Sequence, residues 1–480
     1  MRTNLWTRPW SPLVSLTGSN GMSAVSLSDL VLRYGGNLPR YTSYPTAASF
    51  TDAVGPALAE QWLRALPADE PVSLYFHVPF CDELCRFCGC NTSVMRHEDG
   101  RMAYGDLLRE ELRRVVALVG PQRPVKHLQF GGGTPSTLPA ASLRQVLRSV
   151  RQFFRIEPGA ELAMELDPRH VPAGYPQLLG DLGFTRISLG VQDLEEKVQE
   201  ACGRHQSFAQ TEACINAVRA AGVSGVNVDL IYGLPYQTEE SVAATARKIA
   251  SLRPSRLAVF GYAHVPWKQK RQRLIPEEAL PPPVERLRQR ARIEEVLCAE
   301  GYVPIGLDHY ALPDDTLVQA AQAGALHRNF QGYTTDSSTV LLGMGASAIS
   351  MLPDGYTQNI TAVAPYVRAL ADQDGLPVAR GVARTAEDKL RGHLIEELMC
   401  TMQVDLEAGP AAAYDFSVES AALKPFVQDG FVQIDGSCVR VTEAGRPFLR
   451  NVAAVFDTRR QTLSSATPGS TPQPRFATAL

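Results

Sequence analysis

Residues 75–92 read YFHVPFCDELCRFCGCNT. An apolar run, Val72–Val78, leads into Cys81, Cys85, Cys88 and Cys90, so four of the nine cysteines fall within ten consecutive residues. Such crowding has four chemical explanations: a disulfide knot, a structural zinc site, buried thiols in a core, or an iron–sulfur cluster.

Composition narrows the choice. The 480-residue chain is 45% hydrophobic, enough to bury a large core, and suggests one large domain with a smaller appendage. A net charge of −3 offers no basic field for a nucleic-acid backbone. The longest apolar runs, such as Leu341–Met351, are interrupted and too short to span a bilayer. Neither nucleic acid nor membrane is therefore expected as a partner. The N-terminus, MRTNLWTRPWSPLVSLTGSNG, has neither an apolar h-region nor a small-residue cleavage site, so the expected compartment is the cytoplasm. Thiols stay reduced there, and an odd number of irregularly spaced cysteines is not a disulfide framework. Met22 is an alternative start. Residues 1–21 and 461–480, the latter rich in Pro, Ser and Thr, read as disordered extensions.

Between these ends, β-rich runs alternate with helical stretches. Six strands are expected, at Val72–Val78, His127–Phe130, Glu161–Leu166, Arg186–Val191, Val226–Ile231 and Leu257–Tyr262. Several are followed by Gly, Pro or polar residues and then by an amphipathic segment such as Ala103–Val119, the pattern of repeated βαβ units. Six units over residues 71–280 predict an α/β fold, an open three-quarter (β/α)6 barrel. Residues 22–70 read as a segment covering the substrate.

The alternation stops at Pro281-Pro282-Pro283. Residues 281–383, with a helix near Glu285–Ala299 and the glycine-rich LLGMGASAIS at Leu341–Ser350, are expected to complete or cover the barrel mouth. Thr385 and Asp388 then form a variant capping box. Phe431–Ile434 and Val439–Val441 flank an Asp435-Gly436 turn. Residues 384–460 thus predict a small helical, winged-helix-like domain, and without basic excess its expected role is a lid.

The cysteines follow the first strand, and loops after strand C-termini build the active sites of α/β barrels. Cys81, Cys85 and Cys88 are spaced C-x3-C-x2-C, which lets three thiolates converge on one iron–sulfur cube and leaves one iron open. Cys90 offers a fourth thiolate for a closed zinc site, yet it lies only two residues after Cys88, an awkward reach for a tetrahedron. His77 shares a strand face with Tyr75 and is expected to orient a neighbour rather than bind metal.

The same residues carry a resemblance. C-x3-C-x2-C after an apolar strand resembles the signature of the radical S-adenosylmethionine (SAM) enzymes, and the fuller stretch resembles their oxygen-independent coproporphyrinogen III oxidase branch. RYTSYPTA, FGGGTPS, ELDPR, LGVQD, VDLIYGLP, YAHVP, GLDHY, HRNFQGYTT, LLGMGASAIS and RNVAAVFDT follow in the family's order from Arg40 to Thr458. The resemblance implies a [4Fe-4S] cluster held by Cys81, Cys85 and Cys88, and two SAM molecules. It further implies a 5′-deoxyadenosyl radical and oxidative decarboxylation of two propionates of coproporphyrinogen III to vinyl groups, giving protoporphyrinogen IX. An electron donor such as a flavodoxin or ferredoxin is implied, and a monomer is expected. Haem chaperones of the same superfamily are the alternative. They typically lack the Gly89-Cys90 continuation and the RYTSYPT segment, both present here.

By the same resemblance, the cofactor contacts are Tyr75, Gly132, Gly133, Thr134, Glu165, Gln192, Arg204, Asp229, Ala263 and Ile349. Read from the residues alone, Gly131–Gly133 is a close-approach site or an ordinary tight turn. Alternation places Asn227 and Asp229 inside the barrel, opposite Val226, Val228 and Leu230. A tetracarboxylate substrate calls for guanidinium groups at the mouth; Arg33 and Arg40 are candidates for that role, or two solvated charges.

Overall fold

The computed structural model describes residues 26–372 and 375–460; the two extensions read as disordered lie outside them. Six parallel strands form the frame: β1 (Val72–Val78), β2 (Pro124–Gly132), β3 (Arg155–Leu166), β4 (Arg186–Gln192), β5 (Gly225–Tyr232) and β6 (Arg256–Gly261). They match the six expected runs, with the second and third longer than expected. Their register runs in sequence order, β1 to β6, with the crossover helices between.

Residues 281–383 extend this sheet at both edges. β7 (Val303–Ile305) and β8 (His309–Ala311) add antiparallel beyond β6. β9 (Leu341–Met344) lies parallel to β1 on the opposite edge, and β10 (Ile349–Leu352), β11 (Gly355–Asn359) and β12 (Val378–Ala383) continue antiparallel. The result is one open twelve-stranded sheet, with β12 and β7 at its ends. The glycine-rich LLGMGASAIS is thus strand β9, a turn and the start of β10.

Alternation explains which face is which. On β1, Leu74, Phe76 and Val78 are buried in the main core against the helices, while Tyr75 and His77 take the inner face. On β5, Val226, Val228 and Leu230 are fully packed while Asn227, Asp229 and Ile231 look inward. The floor of the barrel is closed by buried ion pairs. Arg186 Nε lies 2.9 Å from Glu161 Oε2, and Arg256 Nε 2.8 Å from Asp315 Oδ1.

A second core joins the two ends of the described chain. Leu30, Tyr34, Leu38, Tyr41 and Tyr44 pack with Leu394, Leu398, Phe426, Phe431 and Phe448. Thr385 opens the helix Ala386–Thr401 with the expected capping box: its hydroxyl accepts from Asp388 N at 3.1 Å, and Asp388 Oδ2 accepts from Thr385 N at 2.8 Å. Three short strands, β13 (Gln403–Asp405), β14 (Val432–Asp435) and β15 (Cys438–Val441), form an antiparallel sheet in the order β13-β15-β14. With the flanking helices they make the expected winged-helix-like unit.

Of the two readings left open for Arg33, a substrate contact or a surface charge, the structure favours the surface charge. Its guanidinium meets Asp429 Oδ1 at 2.8 Å, and Tyr34 donates to the same carboxylate at 2.6 Å. Both side chains lie on the helix Leu27–Tyr34, so Arg33 fastens that helix to the C-terminal unit. It does not line the cavities described below.

Candidate active site

The C-terminal ends of the parallel strands open into one cavity of about 510 Å³. Cys81, Cys85, Cys88 and Cys90 line one side, and Gly132, Gly133, Thr134, Glu165, Gln192, Arg204, Asp229 and Ala263 line the rest. Eight of the ten expected cofactor contacts are therefore brought together with the cysteines. Tyr75 and Ile349 are not among the lining residues. Tyr75 stands behind Gly131, and Ile349 packs against Phe50, Tyr356 and Val382.

The cysteine loop is held from outside. Gln272 donates to Phe87 O at 2.7 Å, Gln269 to Gly89 O at 2.8 Å, and Arg271 to Thr92 Oγ1 at 2.8 Å. These staples come from the segment after β6. The glycine triplet fits beneath the loop because it has no side chains. A Cβ on Gly132 would stand 2.6 Å from the His77 ring, and one on Gly133 would stand 2.7 Å from Phe80 O. The close approach expected of these glycines is used by the protein's own packing. His77 orients a neighbour, as expected: Nε2 donates to Asn91 O at 3.2 Å, and Nδ1 accepts from Tyr75 Oη at 3.1 Å. Burial holds this neutral ring low, at about 4.

Each of the first three sulfurs meets a donor. Thr134 Oγ1 is 3.5 Å from Cys81 Sγ, Arg204 Nη1 is 3.4 Å from Cys85 Sγ, and Cys90 N is 3.4 Å from Cys88 Sγ. Arg169 Nη2 also approaches Cys85 Sγ, at 3.7 Å. Both arginines grip Asp167, with Arg204 Nη1 at 3.1 Å and Arg169 Nη2 at 2.7 Å from Oδ2. Burial alone would raise Asp167, but Arg169 and Arg204 bring it down to about 2. Asp167 and Arg169 lie inside the ELDPR stretch and were not singled out from sequence. A charged pair two residues past a strand's last inward carboxylate was the available signal.

Glu165 and Asp229 face each other across the cavity without a cationic partner at ion-pair distance among the described residues. Burial pushes Glu165 up to about 7, although Gly132 N donates to it at 3.0 Å. Asp229 rises to about 6 for the same reason, with Asn227 Nδ2 donating at 2.8 Å. Two buried atoms on the cavity's lining residues, Gln192 Oε1 and Arg204 Nε, have no hydrogen-bond partner. Gln192 sits at a bulge with φ of 71°, where β4 loses register with β5.

Residues 75–249 match the Radical SAM superfamily, and residues 385–448 match the HemN C-terminal domain. Over 435 residues the chain is 44% identical to the oxygen-independent coproporphyrinogen III oxidase of Bradyrhizobium diazoefficiens, a match spanning 90% of this chain and 96% of that one. The chain belongs to the oxygen-independent coproporphyrinogen III oxidase family. The Escherichia coli member is 40% identical over 436 residues, covering 89% of this chain and 94% of its own. The solved structure of coproporphyrinogen III oxidase (HemN) from Escherichia coli, a radical SAM enzyme, superposes with a TM-score of 0.83, covering 88% of this chain and 97% of that one. Membership makes the protein a radical SAM oxidoreductase whose cofactors are a [4Fe-4S] cluster and SAM.

The residues present fit these groups. Three thiols spread around one cavity, each with a donor at its sulfur, suit a multi-iron cube. The unpartnered Gln192 and Arg204 atoms and the two carboxylates leave donors and acceptors for a polar, cationic cofactor. No helix among the described residues is long and apolar enough to cross a membrane.

Proposed function

We propose that the protein converts coproporphyrinogen III to protoporphyrinogen IX without oxygen, turning two propionate side chains into vinyl groups. Each propionate gives up a hydrogen atom, an electron and carbon dioxide. When bound, the cluster and SAM supply the one-electron chemistry that abstracts the hydrogen. The observation that carries this reading is the cavity itself: a three-cysteine loop facing Glu165, Gln192, Arg204 and Asp229, in a chain related over nine-tenths of its length to enzymes of this name.

In this reading Cys81, Cys85 and Cys88 hold the cluster. Gly132, Gly133, Thr134, Glu165, Gln192, Arg204, Asp229 and Ala263 contact two SAM molecules, and Tyr75 and Ile349, the two expected contacts outside the lining, back them from behind. Glu165 and Asp229 accept from ammonium or ribose hydroxyl donors, and the Gln192 carbonyl oxygen is an available acceptor. Residues 384–460, sharing a core with residues 27–44, cover the barrel and exclude water from the reacting atoms. The enzyme works as a cytoplasmic monomer, reduced by a flavodoxin- or ferredoxin-type donor.

The test is anaerobic incubation of reconstituted protein with coproporphyrinogen III, SAM and a reductant. Protoporphyrinogen IX with matching methionine release is the expected result. SAM cleavage without porphyrinogen conversion overturns the substrate assignment.

A further inference from the structure

Beside the cysteine cavity lies a second chamber of about 260 Å³, and Arg40, Gly89 and the Phe260–Ala263 backbone line both. Its lining carries Arg40, Lys268, Arg286, Arg290, Arg328 and Arg450 against a single acid, Asp308, among the described residues. So many cations beside one carboxylate are costly in a chamber walled by Leu38, Tyr232, Val259, Phe260 and Leu287.

The way these guanidinium groups are held is informative. Arg40 Nη2 donates to Gly261 O at 3.1 Å, Arg290 Nη2 to Leu307 O at 3.0 Å, Arg286 Nη2 to Tyr262 O at 2.7 Å and Arg450 Nε to Pro39 O at 3.0 Å. For Arg40 and Arg290, backbone carbonyls fix the direction but do not neutralise the charge. Asp308 is taken up by His309 Nδ1 at 2.8 Å and Arg328 Nη1 at 3.7 Å. Arg328 is buried, lies with its Cζ 4.3 Å above the centre of the Tyr333 ring, and leaves its Nε without a hydrogen-bond partner. Burial, and then the nearby Arg40, lower Arg450 to about 10.

We propose that this chamber is a carboxylate-binding subsite, holding one propionate arm of the porphyrinogen while another arm reacts in the adjoining cavity. The inference rests on the substrate assigned above and deepens it. Its volume is below the roughly 300 Å³ at which pockets for whole drug-sized ligands begin, so it takes an arm and not the macrocycle. Guanidinium forks match carboxylates bidentately, and carbonyl-fixed forks are ordered before the ligand arrives. The shared lining at Phe260–Ala263 sets the two spaces side by side, at the distance of neighbouring arms of one molecule. The carboxylate of a SAM molecule has the same chemistry, and the experiment separates the two sources.

The experiment uses anaerobic, cluster-loaded full-length protein with Arg290→Gln, Arg290→Lys and the exposed rim variant Lys268→Gln. Each is assayed for iron content, SAM affinity, and KM and kcat with coproporphyrinogen III. Arg290→Gln is expected to raise KM about tenfold or more, with kcat changed far less and with iron and SAM affinity unchanged. Arg290→Lys should restore part of the loss, because charge survives but the fork does not. Lys268→Gln should shift KM in the same direction, by less, and it supplies the answer if Arg290→Gln does not load its cluster. An unchanged KM in the loaded variants overturns the subsite. Weakened SAM binding with an unchanged KM also overturns it and gives the chamber to the cofactor's carboxylate. Wild-type protein that cleaves SAM but leaves coproporphyrinogen untouched overturns the substrate assignment instead.

Discussion

Arg204 points one guanidinium nitrogen at the Cys85 sulfur, 3.4 Å away, while the same group grips Asp167 at 3.1 Å. Arg169 repeats the arrangement from the other side, 3.7 Å from the sulfur, with its side chain 4% exposed. Hydrogen bonds and positive charge at a cluster thiolate favour the more negative, reduced state and raise the reduction potential. Arg169→Gln is therefore expected to lower the cluster potential by about 60 mV, the one-electron equivalent of a tenfold change. Potentiometric titration monitored by electron paramagnetic resonance measures this; an unmoved potential means that Arg169 serves only its carboxylate partners, Asp167 and Glu83.

The cysteine series separates ligand from neighbour. Cys81→Ser, Cys85→Ser and Cys88→Ser are each expected to lose stable cluster binding, whereas Cys90→Ser keeps its iron. Cys90 donates its backbone N–H to the Cys88 sulfur at 3.4 Å, a contact that serine preserves. Iron and sulfide analysis after anaerobic reconstitution decides it, and full iron in any of the first three would contradict the assignment.

Asp229 is expected to make SAM binding pH-dependent. It faces Asn227, Ser188, Glu165, His309 and Arg204, and burial raises it to about 6. A raised carboxyl is protonated in the free protein below that pH and must lose its proton to meet a cationic ligand. Affinity should rise as pH increases through about 6 and on through about 7, where Glu165 titrates, and level off above. Asp229→Asn should remove the lower part of this rise, leave the part near 7, and cost about tenfold in affinity at pH 7.5, with the fold intact. Equilibrium binding from pH 5 to 8 checks both. An unchanged rise through about 6 in the variant assigns that titration elsewhere.

Glu111 supports a stability prediction away from the site. Its carboxylate accepts from Tyr366 Oη at 2.5 Å, Asn359 Nδ2 at 2.6 Å and Gly345 N at 2.8 Å, so it ties the helix Glu98–Val119 to the β9–β11 extension. Glu111→Gln sets an NH2 group against one of these donors and should cost about 2 kcal/mol. Burial raises Glu111 to about 7, above its ordinary 4.5. Its stabilising contribution is therefore fully present below about 4.5 and is lost as pH rises through about 7. The Tm gap between wild type and variant should narrow from pH 5 to pH 8.

The parallel frame was legible because each strand from β1 to β6 is a compact apolar run followed by a helix-period segment. The added strands were not. β9 pairs with β1 across more than 250 residues of chain, and its glycines and the short β7 and β8 give little local signal. Cys81, Cys85 and Cys88 announced themselves by spacing, and Asp229 by alternation. Arg33 stayed open because a charged residue on an exposed helix looks the same whether it meets substrate or Asp429. Arg40, a candidate from the sequence, does line both cavities, but the other chamber cations were hidden, because positions 286, 290, 328 and 450 converge with it only in the folded chain.

The shared core of residues 30–44 and 394–456 also sets a schedule for synthesis. Tyr34 and Tyr41 leave the ribosome long before their partners Phe426, Phe448 and Asp457 are made. At 5–20 residues per second, roughly 400 intervening residues take about 20–80 s. Over that interval the cysteine loop can already be pinned by Gln269 and Gln272, while the segment bearing Arg40 waits undocked. The growing chain thus passes through a stage with its cluster loop formed and the segment bearing Arg40 still without its packing partners, until the residues that complete this second core have been made.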